Sequence, residues 1–338
     1  MRNLDGPMVL RRIRREDLDG LYALAAAAGP GLTNLPPDRD GLAERIEASL
    51  APPGACGLTS VVMFALDVGG QLGGVAAVWP TVGEGRPFYS YRVDDEIGAS
   101  AAYDLTVKTR TLTLSTEFTG AAEVGGLLID KALRGCSAGR LAARARYLFI
   151  AEHRHAFPPR VLAELRGWQD AAGVSPVWEA LGRRFYGLPF ETADRLSTRR
   201  HDFIAEMAPR HPIYLDLLPP DAQAAIGRPH DDGRAALKML CDDGFEEPGY
   251  VDVFDGGPTV CALIDDVRTV RESRRAVVTD VDDPGGAVEH HLVCTGHGQA
   301  FRAARGGLRR GDGGVALAPL LAEALGVDVG DKVRHVAF

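Results

Sequence analysis

Apolar positions along this chain change period several times, and each change predicts an element. Met8 to Ile13 alternates up to Arg14-Arg15-Glu16-Asp17, after which Leu18, Leu21, Leu24 and Ala25 recur three and four apart. That is a strand followed by a helix with acids in its first turn, where the helix dipole favours them. Gly29-Pro30-Gly31-Leu32-Thr33-Asn34-Leu35-Pro36 predicts a dense turn, and Leu42 to Leu50 a second helix. Ser60 to Val68 and Gln71 to Val78 are β-rich runs parted by Gly69-Gly70, a hairpin signal. Tyr89 to Val93 and Thr111 to Leu114 predict further strands.

Val124 to Ile129 is a short apolar run closed by Asp130, the pattern of a strand buried on both faces. The period then becomes helical. Leu141, Ala145, Leu148 and Phe149 fall on one side of a helix, with Arg140 and Arg144 pointing elsewhere. Strand, small-residue loop and helix therefore follow one another here. Val161 to Leu165 predicts the next strand, and Ser175-Pro176 opens a helix with Ser at the cap and Pro at the first helical position. That helix closes over Gly182 to Phe190. A similar cadence recurs where Ala235 to Leu240 runs through Gly244-Phe245 into a strand over Tyr250 to Phe254, which points to a duplicated architecture. Towards the C-terminus come short strands at Val277-Val278, His291 to Cys294 and Gly314 to Leu317, then a short helix and a last strand. The expected organisation is α+β: residues 1–190 as one half, 191–265 as a second, and 266–338 as a small β-rich C-terminal domain.

Composition narrows the class. The 338 residues are 46% hydrophobic and 25% charged, ordinary for a folded globular enzyme. The N-terminal residues lack the apolar core of a signal peptide and no run of about 18 apolar residues occurs, so a cytoplasmic protein without a membrane partner is expected. Five scattered cysteines, never in a Cys-x-x-Cys pair, indicate neither a disulfide framework nor a zinc site. A net charge of -8 and a pI near 5.6 argue against nucleic acid as a partner.

Against that acidic background, Lys131, Arg134, Arg140, Arg144, Arg146, Arg154 and Arg160 cluster with a single acid, Glu152. A helix opening at Ser137-Ala138-Gly139 offers unpaired N–H groups to an anion, and Gly139 permits close approach. The cluster and the helix start together predict a phosphate-bearing ligand. Neither Gly-x-Gly-x-x-Gly nor Gly-x-x-x-x-Gly-Lys-Ser/Thr is present. Arg134-x-x-Ser137-x-Gly139 resembles instead the pyrophosphate loop of the GNAT superfamily, Arg/Gln-x-x-Gly-x-Gly/Ala, with Ser137 in place of the first glycine.

A longer series extends the likeness over nearly the whole chain. It comprises residues 29–36, Tyr-Ser-Tyr-Arg-Val at 89–93, Thr-Gly-Ala-Ala-Glu at 119–123 and Ala-Glu-Leu-Arg-Gly at 163–167. Ser-Pro-Val-Trp-Glu-Ala-Leu-Gly-Arg-Arg-Phe at 175–185, His-Pro-Ile-Tyr at 211–214 and the stretch 250–259 complete it. In this order the chain resembles the arginine N-succinyltransferase family. The resemblance implies a GNAT-like acyltransferase fold and transfer of succinyl from succinyl-CoA to the α-amine of L-arginine, with ornithine an acceptor in some members. It implies His230 as the proton-transfer residue and Leu127 as a succinyl-CoA contact, beside Arg134, Ser137 and Gly139 for the pyrophosphate, with no metal. It also admits pairing with itself or with a related subunit. Phe118 stands where the family commonly has histidine.

Read without the family, His230 sits in a polar Pro-His-Asp-Asp-Gly loop, where the ordinary role of a histidine is a solvated one. His153-x-His155 and His290-His291 lack partners at metal spacing, and Ser115 and Ser137 lie in no nucleophile elbow. Asp252 and Asp255 read as a strand residue and a turn former, with a guanidinium-facing role as the alternative. Arg92 and Arg166 are candidates for the succinyl carboxylate against surface ion pairs, and Trp178 and Phe185, seven apart, read as core. The alternatives to the arginine enzyme are an ornithine-preferring acyltransferase and a noncatalytic CoA- or amino-acid-binding regulatory subunit.

Overall fold

The computed structural model describes residues 6–28, 35, 37–51, 61–190, 192–193, 196, 202–282 and 289–338. The turn expected over 29–36 lies outside them apart from Leu35.

The chain forms two compact units, each assembled from separated segments because strand pairing rather than chain order brings them together. The first contains residues 1–80, 122–159 and 263–338. It begins with β1 (Met8–Arg12), α1 (Leu18–Ala28), α2 (Arg39–Leu50) and the hairpin β2 (Val62–Val68) and β3 (Gln71–Trp79). Gly69 and Gly70 turn the hairpin at φ 58° and 84°, a left-handed pair that side chains rarely adopt. The helical spacing is realised as packing: Leu21, Leu24, Leu42 and Ile46 bury with Ile13, just past β1, and with Met63 and Val75 of the strands.

The second unit contains residues 81–121 and 160–262. Its long ribbon pairs β4 (Ser90–Ser100) with β5 (Leu105–Ser115) through eleven cross-strand partners. The apolar patterning marks only the inner ends of this ribbon. Past Val93 neither face is buried, and Ile97, Leu105 and Val107 are exposed, so no core-facing alternation survives to be read.

Back in the first unit, β6 (Ala122–Ile129) pairs with β3 and leads into α3 (Ala138–Glu152). The expected burial of Val124 to Ile129 is partial, with Val124 buried and Gly125 to Ile129 half-buried. The helix differs more. Leu141 to Ala151 are all buried, Arg144 and Arg146 included, so this is an interior helix rather than an amphipathic one with its arginines in solvent.

In the second unit β7 (Arg160–Glu164), β8 (Ile213–Tyr214), β9 (Glu246–Val251) and β10 (Pro258–Leu263) join the ribbon in the order β7-β10-β9-β4-β5-β8. The strand expected to reach Phe254 stops at Val251, because Asp252 Oδ1 accepts the N–H groups of Phe254 and Asp255 at 2.8 and 2.9 Å and turns the chain. Trp178 is fully buried and stacks on Tyr186 at 5.5 Å, whereas Phe185 is exposed. A π-turn over Trp178–Gly182 inserts a residue into that helix, which rotates position 185 off the core face and brings 186 onto it.

The C-terminal strands are β11 (Arg274–Val281), β12 (Glu289–Thr295), β13 (Arg302–Gly311), β14 (Gly314–Leu317) and β15 (Lys332–Ala337). They run in the order β12-β15-β11-β14-β13, and β13 pairs antiparallel with β1, Val9 opposite Ala304. Their core joins Val278, Val293, Leu308 and Leu317 to Leu321 and Leu325 of the helix Pro319–Leu325. Among the described residues no helix is long and apolar enough to cross a membrane.

Candidate active site

The register of β6 against β3 slips at its centre. Val75 faces Leu128 and Ala77 faces Gly125, so Ala76 stands opposite both Gly126 and Leu127. This is a β-bulge, which takes the extra residue out of the ladder on that side. Gly126 adopts φ 56°, and a Cβ there would stand 3.2 Å from that of Ala77. The bulge is pinned from α3: the Arg146 guanidinium donates to Gly125 O at 3.0 Å and Ala77 O at 3.3 Å. Leu127 therefore sits at the one place on the strand where backbone is freed from β3.

Glu123, across from Trp79 on the same strand, is a group the sequence reasoning quoted without assigning a role. Loss of water pushes its carboxyl up to about 7. Its folded-state value thus exceeds the unfolded one, so the folded chain binds this proton more tightly. Its contribution is present below about pH 4.5 and is lost as pH rises to about 7. The Glu123→Gln variant, which cannot ionise, should gain stability relative to wild type across that window in urea melts. An unchanged difference between pH 4.5 and pH 7 would refute the shift.

Beyond β6, Asp130 Oδ1 accepts the Ala132 N–H at 2.9 Å and starts a short turn that buries Leu133. Gly135 and Ser137 both take left-handed φ, 83° and 63°. The backbone thus keeps at Ser137 the conformation a glycine would favour. The first bond of α3 runs from Leu141 N–H to Ser137 O at 2.9 Å, which leaves the N–H groups of Ala138, Gly139 and Arg140 without a helical acceptor. A left-handed non-glycine residue costs about 1–2 kcal/mol, partly offset by the roughly 0.5–1 kcal/mol that glycine loses in chain entropy. Ser137→Gly should therefore leave stability unchanged or raise it by up to about 1 kcal/mol in a denaturant titration, and a clear loss would refute this reading.

The seven cations of the basic stretch divide once they are folded. Arg144 donates to Thr269 Oγ1 at 2.8 Å and Ala337 O at 3.0 Å, Arg146 holds the bulge, Arg154 pairs with Asp265 and Arg160 with Glu117. These four are structural, which corrects the reading of the whole stretch as phosphate-facing. Arg140 lies over the ring of Phe338 at 4.7 Å. Lys131 and Arg134 are exposed and have no ion pair among the described residues, which keeps them available beside the open helix start.

His230 belongs to the second unit. Its N–H donates to Arg166 O at 2.8 Å, and its Nδ1 accepts the Asp232 N–H at 3.2 Å, capping the turn Asp231–Gly233. With Nδ1 accepting, the neutral ring carries its proton on Nε2. Asp255 is buried and accepts from Gly167 N–H and Gly257 N–H, both at 2.8 Å. Burial and the neighbouring Asp252 push its carboxyl up to about 8. Asp252 and Asp255 thus hold backbone turns. Arg92 pairs with Asp94 at 2.7 Å, and half-buried Arg166 donates to Gln169 while its Nε has no partner among the described residues. Phe118 is buried edge-on to Tyr250 at 4.8 Å, a packing role. In the first unit His153 donates from Nδ1 to Phe149 O at 2.9 Å and accepts the Gly298 N–H at 3.1 Å, which uses both ring nitrogens. Among the described residues no group of three or more His, Cys, Asp or Glu is placed to hold a metal.

A bulged strand feeding a left-handed loop and the open N-terminus of a buried helix is a framework suited to an acyltransferase. The chain belongs to the arginine N-succinyltransferase beta subunit family: that family's model matches residues 8–269, and the model of its C-terminal domain matches residues 274–337. It is 40% identical to the arginine N-succinyltransferase of Yersinia pestis (strain Pestoides F), over 98% of each chain. It is 35% identical to the arginine N-succinyltransferase subunit beta of Pseudomonas aeruginosa, over 97% of this chain and 98% of that one. Among solved structures, arginine/ornithine succinyltransferase subunit AI from Pseudomonas aeruginosa superposes with a TM-score of 0.86 at 33% identity, covering 98% of this chain and 99% of that chain.

Proposed function

We propose that this protein transfers the succinyl group of succinyl-CoA to the α-amine of L-arginine. The observation that carries the reading is the bulge at Gly126–Leu127 set one short loop before the open helix start at Ser137–Gly139. In it the pyrophosphate of the donor lies on the N–H groups of Ala138, Gly139 and Arg140, with Lys131 and Arg134 as flanking charges. The thioester lies at the freed backbone of Leu127, where an N–H can stabilise the oxygen that gains charge. The neutral amine attacks the carbonyl carbon, the C–N bond forms, the C–S bond breaks, and the proton that the nitrogen sheds ends on the CoA sulfur as it leaves. His230 is the residue assigned to carry that proton, as acceptor from the nitrogen and then, as the imidazolium, as donor to the sulfur. Direct transfer needs no protein nucleophile.

The reading as a noncatalytic CoA- or amino-acid-binding subunit drew on the departures at Ser137 and Phe118. Ser137 retains the left-handed backbone and Phe118 is committed to packing against Tyr250, so neither departure removes a part the transfer requires. Thiol release from succinyl-CoA, followed with arginine and with ornithine in parallel, tests the proposal. Release with arginine supports it, faster release with ornithine reassigns the acceptor, and binding without release under either condition overturns the catalytic reading. Some relatives are named as subunits, and assembly with itself or with a related chain is part of the same proposal, read by light scattering.

A further inference from the structure

Two stretches of the family likeness, 163–167 and 250–259, come together within the second unit at the loop that carries His230. Residues 166–168 and 228–230 run antiparallel, with Gly167 opposite Pro229. Two bonds close this short ladder: the His230 N–H donates to Arg166 O at 2.8 Å, and the Trp168 N–H to Arg228 O at 2.9 Å. Proline has no N–H, and Pro229 stands at the ladder position that needs none.

Extended backbone alternates the direction of its polar groups, so the Gly167 N–H points to the edge away from His230. There the buried Asp255 carboxyl receives it on Oδ2 at 2.8 Å, while Oδ1 receives the Gly257 N–H, also at 2.8 Å. The approach is closer than side chains permit. A Cβ at Gly167 would stand 2.4 Å from Asp255 O, and one at Gly257 would stand 2.0 Å from Leu165 O. A second tie runs to the same turn, from the Gly227 N–H to Gly256 O at 2.8 Å. One carboxyl thus fixes the three residues against which the His230 segment is laid, with no flexible side chain in between.

We propose that Asp255 is the positioning residue for His230: it clamps Gly167 to Gly257, and the clamped backbone of residues 166–168 holds the His230 backbone, and with it the ring, in place for proton transfer. The inference rests on the role proposed for His230 above and adds what fixes the place of that ring.

Steady-state kinetics on single and double variants of the full chain, with succinyl-CoA and arginine, test it. An asparagine at position 255 has one acceptor oxygen, so one of the two glycine N–H groups would face an amide NH2. Asp255→Asn should lower kcat by about 10- to 100-fold, the effect of a small misplacement of a reacting group, and leave KM for succinyl-CoA unchanged. In a His230→Ala background the same substitution should lower kcat less than about twofold, because no ring remains to be misplaced. An equal loss in both backgrounds, or wild-type turnover in Asp255→Asn, overturns the positioning role and leaves that of His230 standing. Wild-type turnover in His230→Ala overturns the role of His230, and this inference with it. Should Asp255→Asn fail to fold, amide hydrogen exchange on the unaltered chain decides. The N–H groups of Gly167, Gly257 and His230, held by one clamp, should show the same protection to within about tenfold, and a His230 N–H that opens more readily than that overturns the inference.

Discussion

Replacing His230 by alanine should lower kcat by about 10²- to 10⁴-fold while leaving succinyl-CoA affinity nearly unchanged, the span over which positioned acid–base groups contribute. The departing thiolate needs a proton, and the attacking ammonium must lose one. The backbone of His230 is held by Arg166 O, and its Nδ1 by the Asp232 N–H, so Nε2 is the ring nitrogen left for proton transfer. Losing the cap costs the alanine variant about 1 kcal/mol of stability, far less than would reduce activity by that factor. Asparagine at position 230 offers a replacement cap acceptor without titrating near neutral pH. His230→Asn should therefore restore the stability and not the rate. Wild-type turnover in His230→Ala from about pH 6 to about pH 9, with both substrates saturating, would show that another group moves the proton.

A valine at Gly139 should weaken donor binding by at least about tenfold. The free protein has room for it: a Cβ at Gly139 meets only Ile129 Cγ1 at 3.8 Å, an ordinary contact, and valine is a better helix former than glycine by a few tenths of a kcal/mol. What the added branches obstruct is the approach of a phosphate to the N–H groups at the helix start. A folded, undiminished Gly139→Val with lost affinity for CoA itself, measured by calorimetry, places the pyrophosphate there. Unchanged affinity would move it elsewhere, and an unfolded variant would contradict the space observed at that position, for which Gly139→Ala provides the milder comparison.

The proton chemistry and the anion site also mark how far local patterning reaches. The loop from Asp130 to Gly139 was legible because its signals are local: a strand that stops, small residues and a helix that starts. The start of α3 at Ala138 lies within the opening expected over Ser137 to Gly139. Likewise β14 falls on Gly314 to Leu317 and α1 on the spacing of Leu18, Leu21 and Leu24. The ribbon β4–β5 was legible only near its inner ends, since a pattern of burial cannot mark strands that bury nothing.

Sequence by itself determined the strand–loop–helix around Ser137, the acidic balance and the family likeness, because periodicity, turn chemistry and residue order are properties of neighbours along the chain. Tertiary structure decided which cations are free. Arg144, Arg146, Arg154 and Arg160 are as basic in sequence as Arg134, and only their contacts with Thr269, Gly125, Asp265 and Glu117, distant in the chain, convert them into structural bonds. The bulge at Gly126–Leu127 is likewise a mismatch between two strands, not a property of either. Glu123 takes its character from the water it loses when β3 and β6 fold against their neighbours in the first unit, and desolvation is set by everything packed around a group, which no single stretch of chain records.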